Sequence, residues 1–541
     1  MVILFENACY DTQFIKHIGL QDRYFATAAD GRACIGGVGY FFSEEVNDAV
    51  FILPKVFLKK DGKELMAFGK FRTTELTSIT SHSPLDKKLS NNIFSISIWI
   101  YQAIRRYILD NPESTIVTAA GKAQSVSSRN GSSTCTLIDI ILSLIDFHKE
   151  HQILLTYISL ISNSGRNKVH WSKSISHSQA YFIDDQPFYF SLLRRGKTID
   201  YDEQLIVLFY SVLNYLNEQF AFNIQPALSY NILSSERIES LISTGKGTRL
   251  LKSIRKRYFK DELVQLWNLL YTFFSHCENV KTGKSREGAL LAKDFNIVFE
   301  TMVDSIISDS PETLPYGLRE QRDGKVIDHI YRDNAPFGSS KIYYIGDSKY
   351  YIDGDCISGE SIYKQFTYAR NVIQECIRLS YTDPDIYEHL GLRYRDPETE
   401  GYCPTPNFFI RGSFFASEED AFDVSALRLK KLKVNEKRDI SFQFTDRLFD
   451  RDTLILMTFE VNFLYILHAY VARKDTKQAR RKMHSRFRQE FIKTLHELYN
   501  IREADLSSNS ITKNFQALIG RIFIPDDNSK PLMAERKTDN I

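Results

Sequence analysis

The stretch KIYYIGDSKYYID, at residues 341–353, is the most informative part of this sequence. Its aromatic and β-branched residues predict a strand that is buried in a sheet. Because side chains alternate along a strand, Asp347 and Lys349 point to the same face. A carboxylate in a buried strand costs free energy unless it binds a cation or accepts hydrogen bonds. Asp347 is therefore a candidate functional residue.

An acid two residues before a lysine is a common pattern and carries little information by itself. It recurs at Asp61, Asp86, Asp323 and Asp475, where each pair stands in a charged turn or helix. Asp347 and its lysine differ from these pairs because they lie within an apolar strand.

Two segments upstream supply further carboxylates. KVIDHIY, at residues 325–331, predicts a second short strand that carries Asp328. From Arg286 onward the pattern predicts a helix, with Glu300 beside its apolar stripe. Glu300 either faces inward as a third acid or is a surface carboxylate of an amphipathic helix.

A helix is predicted downstream, from Ser361 to Arg378. Gln365 and Tyr368 stand three residues apart on a flank of its apolar face. They either line the same cleft as Asp347 or are two ordinary surface residues. The order helix, strand, strand, helix suits phosphodiester hydrolysis, in which carboxylates hold a divalent metal and a lysine stabilises developing charge.

Length and charge restrict the other possibilities. A chain of 541 residues is long enough for two or three domains. We expect a β-rich domain at residues 1–125, a mainly helical region at 136–280 after a Ser/Gly-rich linker, and a third domain at 285–541. The formal net charge is only +2, so affinity for nucleic acid would have to come from local basic patches.

Two segments could form such patches, Gly247–Trp267 and Arg473–Arg488. Each either presents cations to phosphate or is a solvated helix face. No nucleotide-binding loop is predicted at Gly283-Lys284-Ser285, because Glu278 stands where the first glycine should be.

Compartment and membrane association can also be judged from the sequence. The seven cysteines are scattered and include no C-x-x-C pair, and the first residues lack a basic region typical of a signal peptide. We therefore expect reduced thiols and a cytoplasmic location. The apolar run Leu454–Val471 predicts a buried helix rather than a membrane span, because Glu460, Asn462 and His468 would be costly in lipid.

The acids with Lys349, together with KQFTY at residues 364–368, resemble the PD-(D/E)xK nuclease superfamily. More narrowly, the chain resembles the McrC-type nuclease subunits of restriction systems, particularly the LlaJI family. Three further stretches carry this likeness: GRNKVHWSKSI at 165–175, IGGVGYFF with VFILPKVF at 35–42 and 50–57, and FDRDTLILMTFEVNFLYIL at 449–467.

The resemblance implies an α+β multidomain fold whose C-terminal PD-(D/E)xK nuclease core has a mixed central sheet flanked by helices. It implies that Glu300, Asp328 and Asp347 bind Mg²⁺, with Mn²⁺ as a substitute, and that Lys349 assists the attacking water. Gln365 and Tyr368 would support this site. Ile327 stands where the superfamily name has proline, which is a departure from the pattern.

The resemblance also implies an activity and partners. It implies a type II/IV-like restriction endodeoxyribonuclease that cuts double-stranded DNA in phage defence. The implied partners are a separate McrB-like AAA+ GTPase and an associated cytosine methyltransferase. The N-terminal domain, and the loop from Arg166 to Trp171, would serve the GTPase. The alternatives are a non-cleaving adaptor that binds the motor or DNA, and an autonomous DNA-repair nuclease.

Overall fold

The computed structural model describes most of the chain. The described residues are 1–46, 48–62, 64–77, 87–119, 136–152, 154, 156–163, 167–200, 202–220, 230–281, 288–321, 324–414, 436–440, 446–472, 476–505, 508–527 and 529–537. The Ser/Gly-rich linker, Gly165 with Arg166, and Gly283-Lys284-Ser285 lie outside these ranges, so the predictions made for them stay predictions.

The chain forms two compact units. The first contains Met1–Ala119 together with Leu290–Ile541, and the second contains Ala120–Ala289. The predicted helical region at 136–280 lies within the second unit. The N-terminal residues and the proposed nuclease segment share the first unit, while the division into three domains stays a prediction.

The helices alternate with strands along much of the chain. The α-helices are α1 Thr12–His17, α2 Lys87–Asp110, α3 Leu137–Glu150, α4 Trp171–His177, α5 Gln204–Phe220, α6 Ser235–Ser243, α7 Lys246–Ile254, α8 Asp261–Lys281, α9 Phe295–Ile307, α10 Gly359–Thr382, α11 Pro384–His389, α12 Phe463–Val471, α13 Thr476–Leu498, α14 Ser508–Lys513 and α15 Phe515–Leu518.

The strands are mostly short. They are β1 Val2–Phe5, β2 Cys9–Tyr10, β3 Phe25–Thr27, β4 Ala33–Ile35, β5 Val38–Ser43, β6 Asp48–Leu53, β7 Leu58–Asp61, β8 Glu64–Ala67, β9 Phe71–Arg72, β10 Val117–Ala119, β11 Tyr157–Ser162, β12 Tyr181–Ile183, β13 Gln186–Phe188, β14 Arg194–Ile199, β15 Leu290–Ala292, β16 His329–Asn334, β17 Lys341–Lys349, β18 Asn407–Ser413, β19 Glu436–Ile440, β20 Ile455–Asn462, β21 Tyr499–Glu503, β22 Ile522–Phe523 and β23 Leu532–Arg536.

A mixed five-stranded sheet lies at the centre of the C-terminal part, in the order β16-β17-β18-β20-β19. Its middle strands β17, β18 and β20 run parallel, whereas β16 and β19 pair antiparallel at the two edges. Helices α9 and α10 both pack on β17. The fold is thus mixed α/β with several sheets, as the fold-class prediction had it at this coarser level.

A second five-stranded sheet has the order β1-β6-β5-β15-β10. Strand β15 brings residues that follow the second unit back onto the N-terminal strand β5, with Leu291 opposite Gly39. The φ of Gly39 is +145°, and a Cβ there would come within 2.0 Å of the Leu290 carbonyl oxygen. Only glycine can occupy this position without displacing the strand.

The helix predicted from Arg286 is wrong at its start. Leu290–Ala292 form strand β15, and helix α9 begins only at Phe295. The apolar residues before Phe295 complete the N-terminal sheet, and such long-range pairing overrides the helical pattern of a short apolar run.

The prediction of one buried helix over Leu454–Val471 is also wrong in its first half. Ile455–Asn462 form strand β20, and helix α12 starts at Phe463. A strand covered on both faces is apolar throughout, so its sequence has no alternation that would distinguish it from a buried helix. No described helix is both long and apolar enough to cross a bilayer.

The prediction that all cysteines are reduced thiols is wrong for two of them. Cys9 and Cys34 form a disulfide and are direct partners across the antiparallel strands β2 and β4. The free cysteines among the described residues are Cys277, Cys356, Cys376 and Cys403. The pair was missed because its two members stand 25 residues apart, and only strand pairing brings them together.

The second unit has a helical core of its own. Side chains of α3, α5, α6, α7 and α8 pack into one hydrophobic cluster that includes Leu144, Phe209, Leu251, Leu266 and Phe274. Two strand pairs accompany these helices, β11 with β14 and β12 with β13. The second unit is therefore mainly helical in its described part, with two antiparallel strand pairs that were not predicted.

Candidate active site

Strand β17 carries the acid and the lysine that the sequence singled out. It pairs with β16 on one side and β18 on the other, which buries the run from Ile342 to Ser348. Asp347 is only 3% exposed. Lys349 donates a hydrogen bond from its Nζ to Asp347 Oδ2 over 2.7 Å. The predicted placement of these two side chains on one face thus brings them into direct contact.

Asp328 lies directly before β16 rather than inside a strand, because β16 begins at His329. Its carboxyl group hydrogen-bonds with that of Asp347. Burial, followed by the charge of Asp347, raises the pKa of Asp328 to about 7. Two carboxylates this close cannot both ionise at little cost, so the pair tends to retain a proton when no cation is bound.

Glu300 lies close enough to the acid pair for the charge of Asp347 to act on it. It lies on helix α9 and is half-buried. Its pKa is raised, first by burial and then by the charge of Asp347, while the charges of Lys349 and Lys364 oppose this shift. Of the two alternatives left open by the sequence, the inward orientation of Glu300 fits these interactions.

Helix α10 contributes two buried side chains, Gln365 and Tyr368. Gln365 is fully buried and donates from Nε2 to Asn407 Oδ1 of β18 over 2.7 Å. Its Oε1 is buried and has no hydrogen-bond partner among the described residues. Tyr368 is 3% exposed. Neither residue is an ordinary surface residue of the helix.

Three further residues at this site were given no role at the sequence level. The Nζ of Lys364 lies 5.3 Å from the centre of the Tyr368 ring, and its pKa is raised by a hydrogen bond with Tyr368 and also by the charges of Asp347 and Asp328. Asn407 is fully buried against Gln365. The spacing of Lys364 one helical turn before Tyr368 could have indicated it.

The third of these residues is Arg411, which contacts the segment that follows β17. It stands beside Lys349 in the register of β18 and is only 9% exposed. Its guanidinium group donates to the carbonyl oxygens of Ile352 and Asp355. A buried cation that holds two carbonyl groups fixes the course of this segment. No local sequence signal indicates such a contact.

The N-terminal strands contact the same segment. Glu6, which is 7% exposed, accepts hydrogen bonds from the Tyr350 hydroxyl and from the backbone N–H of Lys55. Burial raises the pKa of Glu6 despite these bonds. Further along, Asp353 exchanges backbone hydrogen bonds with Leu58 and Lys60. The residues that follow Lys349 are therefore packed against N-terminal elements within the first unit.

A cluster of charged and polar side chains surrounds the backbone at Asp328. Arg319 donates to the Asp304 carboxylate of α9 and to the Asp328 carbonyl oxygen, over 2.9 Å in each case. The fully buried His329 ring lies 3.3 Å from Asp304. Burial raises the pKa of Asp304, but the hydrogen bond with His329 and the charges of His329 and Arg319 outweigh it, so the pKa is lowered.

The carboxylates of this site can be compared with the ligands that a divalent metal ion requires. The described residues contain no group of three or more His, Cys, Asp or Glu side chains arranged to hold a metal ion. Mg²⁺, however, keeps several waters and is commonly bound through one or two carboxylates. The oxygen pair of Asp328 and Asp347 suits such a site. Glu300 as a direct ligand stays a prediction.

The acid pair leads to a stability prediction. Asp328→Asn is expected to raise the thermal unfolding midpoint by several degrees at pH 8 without divalent cations. The ordinary pKa of an aspartate is 3.8, whereas that of folded Asp328 is about 7. Stability is therefore lost as the pH rises between these values and stays lost above them. Asparagine cannot ionise and avoids this loss.

Calorimetry on wild type and variant from pH 4 to pH 8 would measure the effect. The difference should shrink as the pH falls below 7, and Mg²⁺ should stabilise wild type more than the variant. Asp61→Asn, at the exposed end of β7, is the matched control. Equal midpoints of wild type and Asp328→Asn at pH 8 would contradict the raised pKa of Asp328.

One solved structure is similar to this chain over most of its length. A structure described as a half-complex from the tetradecameric assembly of Thermococcus gammatolerans McrB AAA+ hexamers with bound McrC contains a chain with 12% sequence identity. The similarity covers 90% of this chain and 99% of that chain, with a TM-score of 0.28, which is too low to establish a shared fold. The chain matches no curated protein.

The family comparison is more informative. Residues 82–322 match the family described as LlaJI restriction endonuclease. The matched range includes Glu300 and ends before Asp328, Asp347 and Lys349, so the roles of those three residues remain predictions. The match confirms, over residues 82–322, the relationship to the LlaJI restriction endonuclease family that the sequence motifs predicted.

Proposed function

We propose that this chain is the DNA-cleaving subunit of a restriction system, an Mg²⁺-dependent endonuclease of the PD-(D/E)xK type. The observation that carries the proposal is the contact of Lys349 with Asp347, with Asp328 hydrogen-bonded to the same carboxyl group. The mixed sheet with helices packed on β17 and the match to a restriction endonuclease family support it.

Each residue of the site has a distinct role in this proposal. Asp328 and Asp347 would hold Mg²⁺, and Glu300 would complete the acidic set. Bound there, Mg²⁺ would offset the negative charge of the scissile phosphate and lower the pKa of the attacking water. Lys349, held by Asp347 at 2.7 Å, would orient that water and stabilise charge that develops on the phosphate. Gln365 and Tyr368 would position these groups.

The proposal includes partners. By the McrC-like motifs of the sequence, the chain would act on double-stranded DNA together with a separate McrB-like GTPase and a cytosine methyltransferase of the same system. The N-terminal residues that contact Tyr350 and Asp353 would then link a partner-interaction region to the residues next to Lys349.

Metal exchange tests the catalytic part of the proposal. Cleavage is expected with Mg²⁺ or Mn²⁺ and to fall by at least about 100-fold with Ca²⁺, which fills oxygen sites but accepts loose, higher coordination. The assay measures cleavage of plasmid DNA by the chain with its partner and GTP at fixed ionic strength. GTP hydrolysis under each metal is the control for the motor. Cleavage in EDTA at the Mg²⁺ rate would refute metal dependence.

A further inference from the structure

The second unit carries a dense group of cations on one surface. Residues Lys246–Lys260 form helix α7, a 3₁₀ turn at Arg255–Arg257 and the approach to α8. This segment contains no carboxylate. We call its cations the basic surface: Lys246, Arg249, Lys252, Arg255, Lys256, Arg257 and Lys260. The chain as a whole has a formal net charge of only +2, so the charge here is a local concentration.

The helix presents these cations to solvent because its other side is anchored in the core. Leu251 is fully buried and Ile254 is 1% exposed, both within the hydrophobic cluster. Gly247 packs so closely on Phe274 that a Cβ would come within 2.3 Å of the ring. Of the basic surface, Arg255 is half-buried and the other cations are exposed. The surface is thus held on a rigid, well-packed support.

The cations of the basic surface are not neutralised within the described part of the chain. Arg249 donates to the Thr244 carbonyl oxygen and Arg257 to the Gln204 amide oxygen. Arg255 lies over the Trp267 ring at 5.0 Å, and Lys252 lies 5.8 Å from the Tyr271 ring centre. These partners are uncharged, so they orient the cations without cancelling their field.

The second basic segment, Arg473–Arg488, makes more contacts within the protein. On α13, Arg480 donates to the carbonyl oxygens of Ser305 and Ile306, and Arg488 donates to that of Ala335. Arg486 forms an ion pair with Glu490. Arg480 and Arg488 hold the helix against its neighbours, whereas the Arg486 pair lies within the helix. The two segments therefore differ, because α13 uses part of its charge for contacts within the protein and only Arg481 and Lys482 among its central cations stay exposed without a described partner.

An exposed aromatic ring lies among the cations. Phe259 is 87% exposed. Together with Arg255, Lys256, Tyr258 and Val264 it lines an open groove of about 810 Å³. A large apolar side chain this exposed contributes little to folding stability. Between cations, it can pack against a deoxyribose of the DNA backbone.

We propose that the basic surface binds the phosphate backbone of double-stranded DNA without reading its sequence. Duplex DNA carries about one negative charge per 1.7 Å of axis, and lysines and arginines that contact phosphates release condensed counterions. Unpaired cations on a rigid support fit this polyanion. This DNA-binding surface is separate in sequence from the catalytic residues. The inference rests on the proposed function in one respect, which is that the polyanion is DNA.

Binding without catalysis tests the surface. The triple variant Arg249→Gln/Lys252→Gln/Lys256→Gln replaces three cations with neutral polar side chains and so removes three charges. On a 30-base-pair duplex in EDTA, its affinity at about 100 mM NaCl is expected to fall at least about 10-fold relative to wild type. The slope of log K against log salt concentration should become shallower by about 2 to 3, as three lost phosphate contacts require.

Two control variants make the measurement specific. Arg481→Gln/Lys482→Gln removes two exposed charges from α13 and should leave affinity and slope unchanged. Lys252→Arg/Lys256→Arg keeps the charge and should bind as wild type does. Thermal unfolding midpoints of all variants should match wild type, because the replaced side chains are exposed.

The outcomes separate this proposal from the nuclease proposal. Unchanged affinity and slope in the triple variant would overturn the DNA-binding surface, whatever the chain cleaves. Normal DNA binding combined with lost assembly with the GTPase would overturn it in favour of a protein interface. Tighter wild-type binding to single strands than to duplex would overturn the choice of double-stranded DNA. Because the assay contains no metal, failure of the catalytic site leaves it unaffected.

Discussion

Lys349→Ala is expected to reduce DNA cleavage by about a thousandfold or more while DNA binding persists. The Nζ of Lys349 lies 2.7 Å from Asp347 Oδ2, and its side chain is only 14% exposed, so the cation has a fixed position in a largely desolvated site. A preorganised charge of this kind acts mainly on the transition state, where the phosphate gains negative charge.

Asp347→Ala should have an effect of at least the same size, because it removes both a proposed metal ligand and the anchor of Lys349. Single-turnover cleavage by the chain with its GTPase and GTP would measure both variants. Lys341→Ala is the matched control, since Lys341 is exposed at the opposite end of the same strand. Wild-type rates in a folded Asp347→Ala protein would show that the assigned centre is wrong.

The second large effect concerns the partner. We expect the chain alone to cleave its cognate DNA at least about 100-fold more slowly than the assembled complex and to hydrolyse no GTP. The chain has a net charge of only +2, and the one Gly-Lys-Ser sequence, at 283–285, lacks the first glycine of a phosphate-binding loop. A protein that finds a DNA site unaided generally needs many phosphate contacts.

The basic surface would supply weak, sequence-independent binding and leave site recognition and translocation to the motor. The test incubates site-containing DNA, Mg²⁺ and GTP with the chain, with and without the GTPase encoded beside it. A catalytically inactive GTPase variant is the control for assembly without turnover. Efficient specific cleavage by the chain alone would refute the two-subunit proposal and favour an autonomous nuclease.

Local patterns were sufficient where the relevant geometry is local. The alternation of side chains in residues 341–349 placed Asp347 and Lys349 on one face, and the structure has them in contact. The helical spacing around Glu300 placed this carboxylate beside the apolar stripe of α9, and it proves half-buried. In each case the periodicity of one element determines the direction of the side chain.

Other features depended on partners distant in sequence. Ile455–Asn462 became a strand because it pairs with β18 and β19, although an apolar run of this length is equally compatible with a buried helix. The Cys9–Cys34 bond and the contact of Glu6 with Tyr350 likewise arise from packing between separate segments. A single sequence contains no local signal for such contacts.

The sequence by itself determined which residue types could perform the chemistry and which of them share a face, because these follow from composition and from the period of one strand or helix. Only the tertiary structure decided that Asp328 meets Asp347 and that Gln365 meets Asn407. It also decided that Arg480 and Arg488 of α13 hold backbone carbonyl groups, whereas the cations of the basic surface have no carboxylate partner among the described residues. Burial and pairing depend on the whole surrounding structure, and they set both the pKa of a carboxyl group and the availability of a charge.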